Sequence, residues 1–259
     1  MSIREAAVAG MFYPGNPALL QLHLDELFDA LEPEPDLHPQ ALVVPHAGYI
    51  YSGATAARAY IQVQPDDYEQ ILLLGPSHKM PLSGMALPTS EAFSTPLGDY
   101  PLLSKLINEL VEKCLASFND TAHLTEHSLE VQIPFLQKIK AHIPLVPVVV
   151  GRERPEKVSA LIDYVCSRGK TLILVSSDLS HFHSYTEAQL LDQNTSQRII
   201  NLATDIKPEE ACGCNALNGL LFWLKEQGKR IELIDQCNSG DTAGDKMRVV
   251  GYGAYGVYQ

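Results

Sequence analysis

Short, wholly apolar runs recur along this chain, separated by segments of helical spacing, and few architectures accept that alternation. Residues 41–44, 71–74, 145–150 and 171–175 show none of the polar–apolar alternation of a half-exposed strand. Strands that read this way are covered on both faces, as in a mostly parallel sheet sandwiched by helices. Between them, Leu20, Leu24, Leu27, Phe28 and Leu31 predict an amphipathic helix over 17–31. Further helices are expected over 101–115 and over 127–141, where Pro134 should kink or restart the helix. Val158, Leu161, Ile162 and Val165 mark another, with Pro155 in its first turn. Helices near 186–203 and 208–226 and strands near 230–236 and 247–258 complete the pattern. The proline-rich stretch 32–39 reads as a loop rather than a linker. The expectation is one α/β domain over 1–259, its central mostly parallel or mixed sheet flanked by helices.

Composition bears mainly on partners. The 31 acidic and 19 basic residues give a formal net charge of −12. A protein that neutralises phosphates needs a basic footprint, so neither nucleic acid nor an anionic membrane is expected as a partner. The apolar runs are too short to span a bilayer. Met1-Ser2-Ile3-Arg4-Glu5 does not open a signal peptide, and the five cysteines read as free thiols. A cytoplasmic location is the expectation.

Three apolar runs lead into polar segments of one kind. The first leads into Pro45-His46-Ala47-Gly48-Tyr49, the second into Gly75-Pro76-Ser77-His78, and the third into Ser176-Ser177-Asp178-Leu179-Ser180-His181-Phe182-His183. Ligands bind outside the carboxyl ends of parallel strands, where loops converge. Taken singly, each histidine reads as a turn or surface residue, and Asp178 with His181 as a helix-capping device. The joint occurrence points to a shared site. Imidazoles suit zinc, copper, iron and nickel. The third ligand is open on these grounds: the Asp178 carboxylate, or a thiolate of Cys212 or Cys214, which otherwise read as buried apolar side chains. His127 or Glu130 in Glu126-His127-Ser128-Leu129-Glu130 is expected either in the crevice or in a structural role. His183 is a weaker candidate, and Cys237 sits in a turn-rich stretch. Gly-x-Gly-x-x-Gly and Gly-x-Ser-x-Gly are absent, so neither nucleotide binding nor an α/β-hydrolase nucleophile is indicated.

Together with Ala7-Val8-Ala9-Gly10-Met11-Phe12-Tyr13-Pro14 and Glu126-His127-Ser128-Leu129-Glu130-Val131, these motifs resemble, in order, the MEMO family. Its prokaryotic members are called AmmeMemoRadiSam system protein B, and its fold resembles class III extradiol ring-cleaving dioxygenases. The resemblance implies His46 and His78 as metal ligands and His181 as the acid–base residue, with Asp178 beside it. Where those dioxygenases use a glutamate ligand, the family pattern has a cysteine; Ala211-Cys212-Gly213 fits it, which makes Cys212 the third ligand and sets Cys214 aside. Iron(II) is the implied metal, with copper or zinc as alternatives. The implied function is a metal-dependent, dioxygenase-like oxidoreductase acting on a small-molecule substrate. A thiolate beside oxygen risks its own oxidation, however. Zinc-dependent hydrolysis with His181 as base is a further reading. The alternative of another class is a non-catalytic module that binds a peptide or protein in the same pocket. Radical SAM and AMMECR-type proteins are the implied protein partners.

Overall fold

The apolar runs become neighbours at the centre of one sheet. The computed structural model describes residues 2–29, 31, 32 and 37–258. Its strands, in chain order, are β1 (Ile3–Arg4), β2 (Pro39–Val44), β3 (Gln70–Pro76), β4 (Met85–Leu87), β5 (Ala92–Thr95) and β6 (Gly98–Pro101). There follow β7 (Ser117–Phe118), β8 (Leu145–Val150), β9 (Thr171–Ser176), β10 (His181–His183), β11 (Glu232–Asn238) and β12 (Val249–Tyr258). The main sheet has the order β10-β12-β2-β9-β3-β8-β4-β7, with β11 also on β12; β1, β5 and β6 form a small second sheet. β2, β9, β3 and β8 run parallel to one another. β12 is antiparallel to β2, and β4 to β8, so the sheet is mixed.

Every residue of β3, β8 and β9 is buried, as unalternated apolar sequence requires. Because β2, β9 and β3 are parallel and adjacent, their carboxyl ends lie side by side. The turns carrying His46, Asp178 and His78 therefore leave one edge of the sheet together.

Several expected boundaries move, each for a local reason. The first helix is Pro17–Phe28, shorter than 17–31. Residues 33–36 of the expected 32–39 loop lie outside the described residues, and Pro39 already belongs to β2. The 101–115 helix is trimmed to Ser104–Glu112. Over 127–141, a 3-10 turn (Glu130–Gln132) precedes a fresh helix, Ile133–Lys138, in whose first turn Pro134 lies, so the proline restarts the helix. The Tyr49–Tyr60 helix has no expected counterpart: apart from Tyr49 and Tyr60 at its two ends, its buried residues are Ser52, Gly53, Thr55, Ala56, Ala57 and Ala59, which present no stripe of large apolar residues. The last helix begins at Cys214 rather than near 208, because the backbone ahead of it is tied to the end of β9. No helix among the described residues is long and apolar enough to cross a membrane.

That last helix packs closely on Pro155–Cys166. A Cβ at Gly219 would stand 2.2 Å from Val158 Cγ1. Valine is stiff about χ1 and cannot swing aside cheaply. Gly219→Ala is therefore expected to destabilise by about 1–3 kcal/mol in urea unfolding, outweighing the ~1 kcal/mol that alanine gains in a helix.

Candidate metal centre

Four chain segments meet at the sheet edge. His46 follows β2, His78 follows β3, Asp178 follows β9, and Cys212 precedes the Cys214–Glu226 helix. Cys212 is held there by its own backbone: its N–H donates to the Asp178 carbonyl at 3.3 Å, and the Gly213 N–H donates to Ser177 Oγ at 2.9 Å. A Cβ on Gly213 would lie 2.6 Å from the Ser176 carbonyl oxygen, so this close approach requires glycine. The segment 208–213 thus makes an isolated turn, with the Ala211 N–H on the Lys207 carbonyl, and is then tied to the β9 end before the helix starts.

Hydrogen bonding determines which imidazole nitrogens are free. Ser176 Oγ donates its one proton to the Ser128 carbonyl (2.6 Å) and accepts from Gln132 Nε2 (2.8 Å). Gln132 is oriented in turn, because its Oε1 accepts from Tyr60 and its Nε2 also donates to the Pro45 carbonyl. Ser176 can therefore only accept from His46 Nδ1, 2.9 Å away. The proton sits on Nδ1, and the lone pair of Nε2 faces Cys212 Sγ at 3.2 Å. His78 follows the same logic: Nδ1 donates to Glu126 Oε1 at 2.9 Å, which leaves Nε2 free.

The electrostatics favour neutral imidazoles over a buried anion. Burial, with repulsion from His78 and His127, pushes the His46 pKa well below the usual histidine value. Burial likewise takes His127 down to about 4. For Glu126, burial favours the acid, but hydrogen bonds from the side chain and backbone of His78, with that of the Ser128 N–H, outweigh it and hold the carboxyl well below the usual range. Burial, then the Asp178 charge, pushes the Cys212 thiol up. Asp178 is raised to about 6 by burial, opposed by the His46 N–H that donates to its Oδ1 at 2.7 Å.

The donor set fits a metal ion. Donor atoms of His46, His78 and Cys212 all lie within 4.8 Å of one another. Metal–nitrogen and metal–sulfur bonds of about 2.0–2.1 and 2.3 Å would put N and S about 3.1 Å apart at a right angle and about 3.6 Å apart in a tetrahedron. The 3.2 Å between His46 Nε2 and Cys212 Sγ falls inside that span. Asp178 Oδ2 stands 4.0 Å from His46 Nε2, beside the donor set rather than within it. Glu126→Gln keeps the shape but removes the charge that His78 Nδ1–H faces. It is expected to lower metal affinity by about 10–100-fold, read by competition against a chromophoric chelator.

Above the cluster is a cavity of about 570 Å³ lined by Phe12, His127, Asp178, His181, Arg248 and Tyr252, among others. His181 donates Nδ1–H to the Leu179 carbonyl at 2.8 Å, so its Nε2 is an acceptor. His127 faces the same space, its ring 4.6 Å from those of both Phe12 and His78.

Other expected positions resolve differently. Glu130 is buried away from the cavity and accepts from Arg4, the Ala7 and Val8 N–H groups and Tyr13, so its role is structural. His183 pairs with Glu187 at 3.2 Å and is not among the lining residues. Cys237 lies in β11 rather than in a loop, 3.2 Å from Thr55 Oγ1. Cys214 is buried in the first helical turn, outside the donor set. Asp178 bonds the His46 backbone and His181 begins β10; neither caps a helix. Sequence reasoning missed the orienting roles of Glu126, Ser176 and Gln132, whose spacing carries no signal because their partners come from distant segments of the chain.

Comparison with known proteins places the chain in a family. A family model described as Memo-like protein matches residues 4–256. A MEMO1 family protein of Thermoplasma volcanium is 34% identical over 96% of each chain. One from Aquifex aeolicus is 34% identical over 97% of this chain and 98% of its own, and one from Desulfurococcus amylolyticus is 33% identical over the whole of both. Among solved structures, an uncharacterized protein of Escherichia coli K12 aligns over 82% of this chain and 98% of its own, with 15% identity and a TM-score of 0.47. With a family model spanning nearly the full length and relatives a third identical from end to end, the chain belongs to the Memo-like protein family.

Proposed function

We propose that this protein binds one metal ion through His46 Nε2, His78 Nε2 and Cys212 Sγ and is a metal-dependent, dioxygenase-like oxidoreductase for a small substrate admitted by the adjoining cavity. The observation that carries this reading is the fixed protonation of the two imidazoles. Ser176 and Glu126 each take an Nδ1–H, leaving both Nε2 lone pairs beside one sulfur. Iron(II) is the first expectation, while copper and zinc suit the same two imidazoles and thiolate. A redox-active ion there would supply activation of a chelating substrate. The protein's own contribution is proton handling: His181 Nε2 accepts a proton from the substrate, and the neighbouring Asp178 carboxylate steadies the resulting imidazolium. Radical SAM and AMMECR-type proteins are proposed partners from the family resemblance alone. The test is elemental analysis of protein purified without oxygen, followed by oxygen uptake over a panel of chelating aromatic substrates. About one equivalent of metal is expected; no metal in protein from several expression conditions would overturn the reading.

One observation favours the alternative, a peptide- or protein-binding module. Met11 and Ile50, 71% and 60% exposed, line a hollow that shares Phe12, Gly48 and Tyr51 with the cavity. Apolar surface beside a pocket is what a docking partner would cover. Stoichiometric partner binding that survives both chelation and Cys212→Ser would establish this reading.

A further inference from the structure

Phe182 is the one bulky aromatic residue of the described chain with a left-handed backbone, at φ +67°. That conformation is costly for a side chain of its size and tends to persist only where something else is gained. Burial is not the gain, because Phe182 is 61% exposed. The pairing of β10 with β12 shifts register between His181 and His183, where Phe182 stands exposed. There the ring carries the guanidinium of Arg248, 4.3 Å from its centroid. Lys246, two residues earlier, lies likewise 4.6 Å over the Tyr185 ring, so this loop rests on aromatic faces rather than on acids.

Arg248 is the only lysine or arginine among the residues lining the cavity, in a chain of net charge −12. The nearest acid in sequence, Asp245, uses its Oδ1 to accept the Met247 N–H at 2.7 Å and the Arg248 N–H at 3.3 Å. The guanidinium is seated on a ring that takes none of its N–H donors, and it makes no ion pair among the described residues. The same cavity is lined by the aromatic residues Phe12, Tyr51 and Tyr252, by His127, Asp178 and His181, and by Asp245. The space thus offers aromatic faces to a flat apolar body and one guanidinium to a negative charge.

We propose that the cavity takes a small molecule with an aromatic body and an anionic group, carboxylate or phosphate, and that Arg248 seated on Phe182 is its anion anchor. This rests on the cavity being the substrate site of the proposed centre. A guanidinium receives either anion in a two-pronged pair, which a neutral amide cannot replace. The test is ligand-observed NMR on the full chain, metal-free and metal-loaded, with benzoate, phenyl phosphate and benzamide as probes. At least one anion should bind about tenfold more tightly than benzamide, and the stronger of the two identifies the group. Arg248→Gln should erase the preference, and Arg248→Lys should keep part of it, while metal content stays unchanged in both. Phe182→Gly should raise the melting temperature by relieving the left-handed backbone yet weaken the preference, a combination that a merely structural role would not produce. The proposal is overturned by equal affinity for anion and amide, by no anion binding at millimolar concentration, or by a preference that survives Arg248→Gln or Phe182→Gly. A preference seen only with metal and indifferent to Arg248 would place the anion on the ion, sinking this proposal while leaving the centre intact.

Discussion

Purified without oxygen and away from nickel resins, His46→Ala protein is expected to hold under roughly a tenth of a metal equivalent, against about one for the wild type. His46 Nε2 is the donor nearest Cys212 Sγ, at 3.2 Å, and its lone pair is committed to that position by Ser176. Cys212→Ser removes the soft, negatively charged donor and should weaken binding by at least ~100-fold, since even outer hydrogen-bond partners are worth 10–100-fold. The two variants differ in proton balance. Burial keeps the Cys212 thiol protonated without an ion, so coordination must expel that proton. Wild-type protein should release about one proton per ion bound at neutral pH, seen with an indicator in weak buffer, and Cys212→Ser should release none. Affinity rises with pH wherever the free thiol is protonated, because protons compete with the metal. Buried His46 adds no such dependence at neutral pH, since its pKa is already depressed. Metal retained in full by both variants would place the ion on the neighbouring His78, Glu126 and His127 group instead.

Glu130→Ala is expected to cost about 3–5 kcal/mol of folding stability, the usual consequence of leaving a buried charge without its partner. The Glu130 side chain is fully buried, and that of its partner Arg4 is 6% exposed. Its oxygens also accept from the Ala7 N–H at 2.8 Å, the Val8 N–H at 3.0 Å and the Tyr13 hydroxyl at 2.6 Å. Arg4 keeps the carbonyls of His123 and Glu126 and the face of the Phe93 ring once the carboxylate is gone, but no opposite charge among the described residues. Equilibrium denaturation would measure the loss. Replacing both partners by apolar residues of similar volume, Arg4→Met with Glu130→Leu, should recover a good part of it, since the stranded charge is the larger penalty. Phe12 belongs to the same tethered segment and its carbonyl accepts from the Tyr49 N–H at 2.8 Å, so Glu130→Ala should also disturb the cavity wall. A loss below about 1 kcal/mol would show that the pair is better solvated than its burial implies.

Much of the scaffold was legible because burial on both faces leaves a one-dimensional trace. The runs at 41–44, 71–74, 145–150 and 171–175 fall within β2, β3, β8 and β9. The Tyr49–Tyr60 helix left no such trace, since the room beside it is filled by small side chains rather than by a repeating large-residue stripe. The start of the last helix was misplaced for the opposite reason. Residues 208–213 have helical character of their own, and bonds from Cys212 and Gly213 to the β9 end override it.

That the four central strands exist, and that histidines follow two of them, was decided by local sequence, because apolar runs bury themselves; the short strands β1, β4 to β7 and β10 left no such run. Only the tertiary structure decided that β9 lies between β2 and β3, and with that the meeting of His46 and Asp178 with His78 at one edge. It alone also settled which nitrogen of each imidazole is free, because a tautomer depends on partners such as Ser176, Gln132 and Glu126 that reach the ring from other segments. Periodicity records how a residue is buried, but not what it is buried against, and the chemistry of this centre lies in the second.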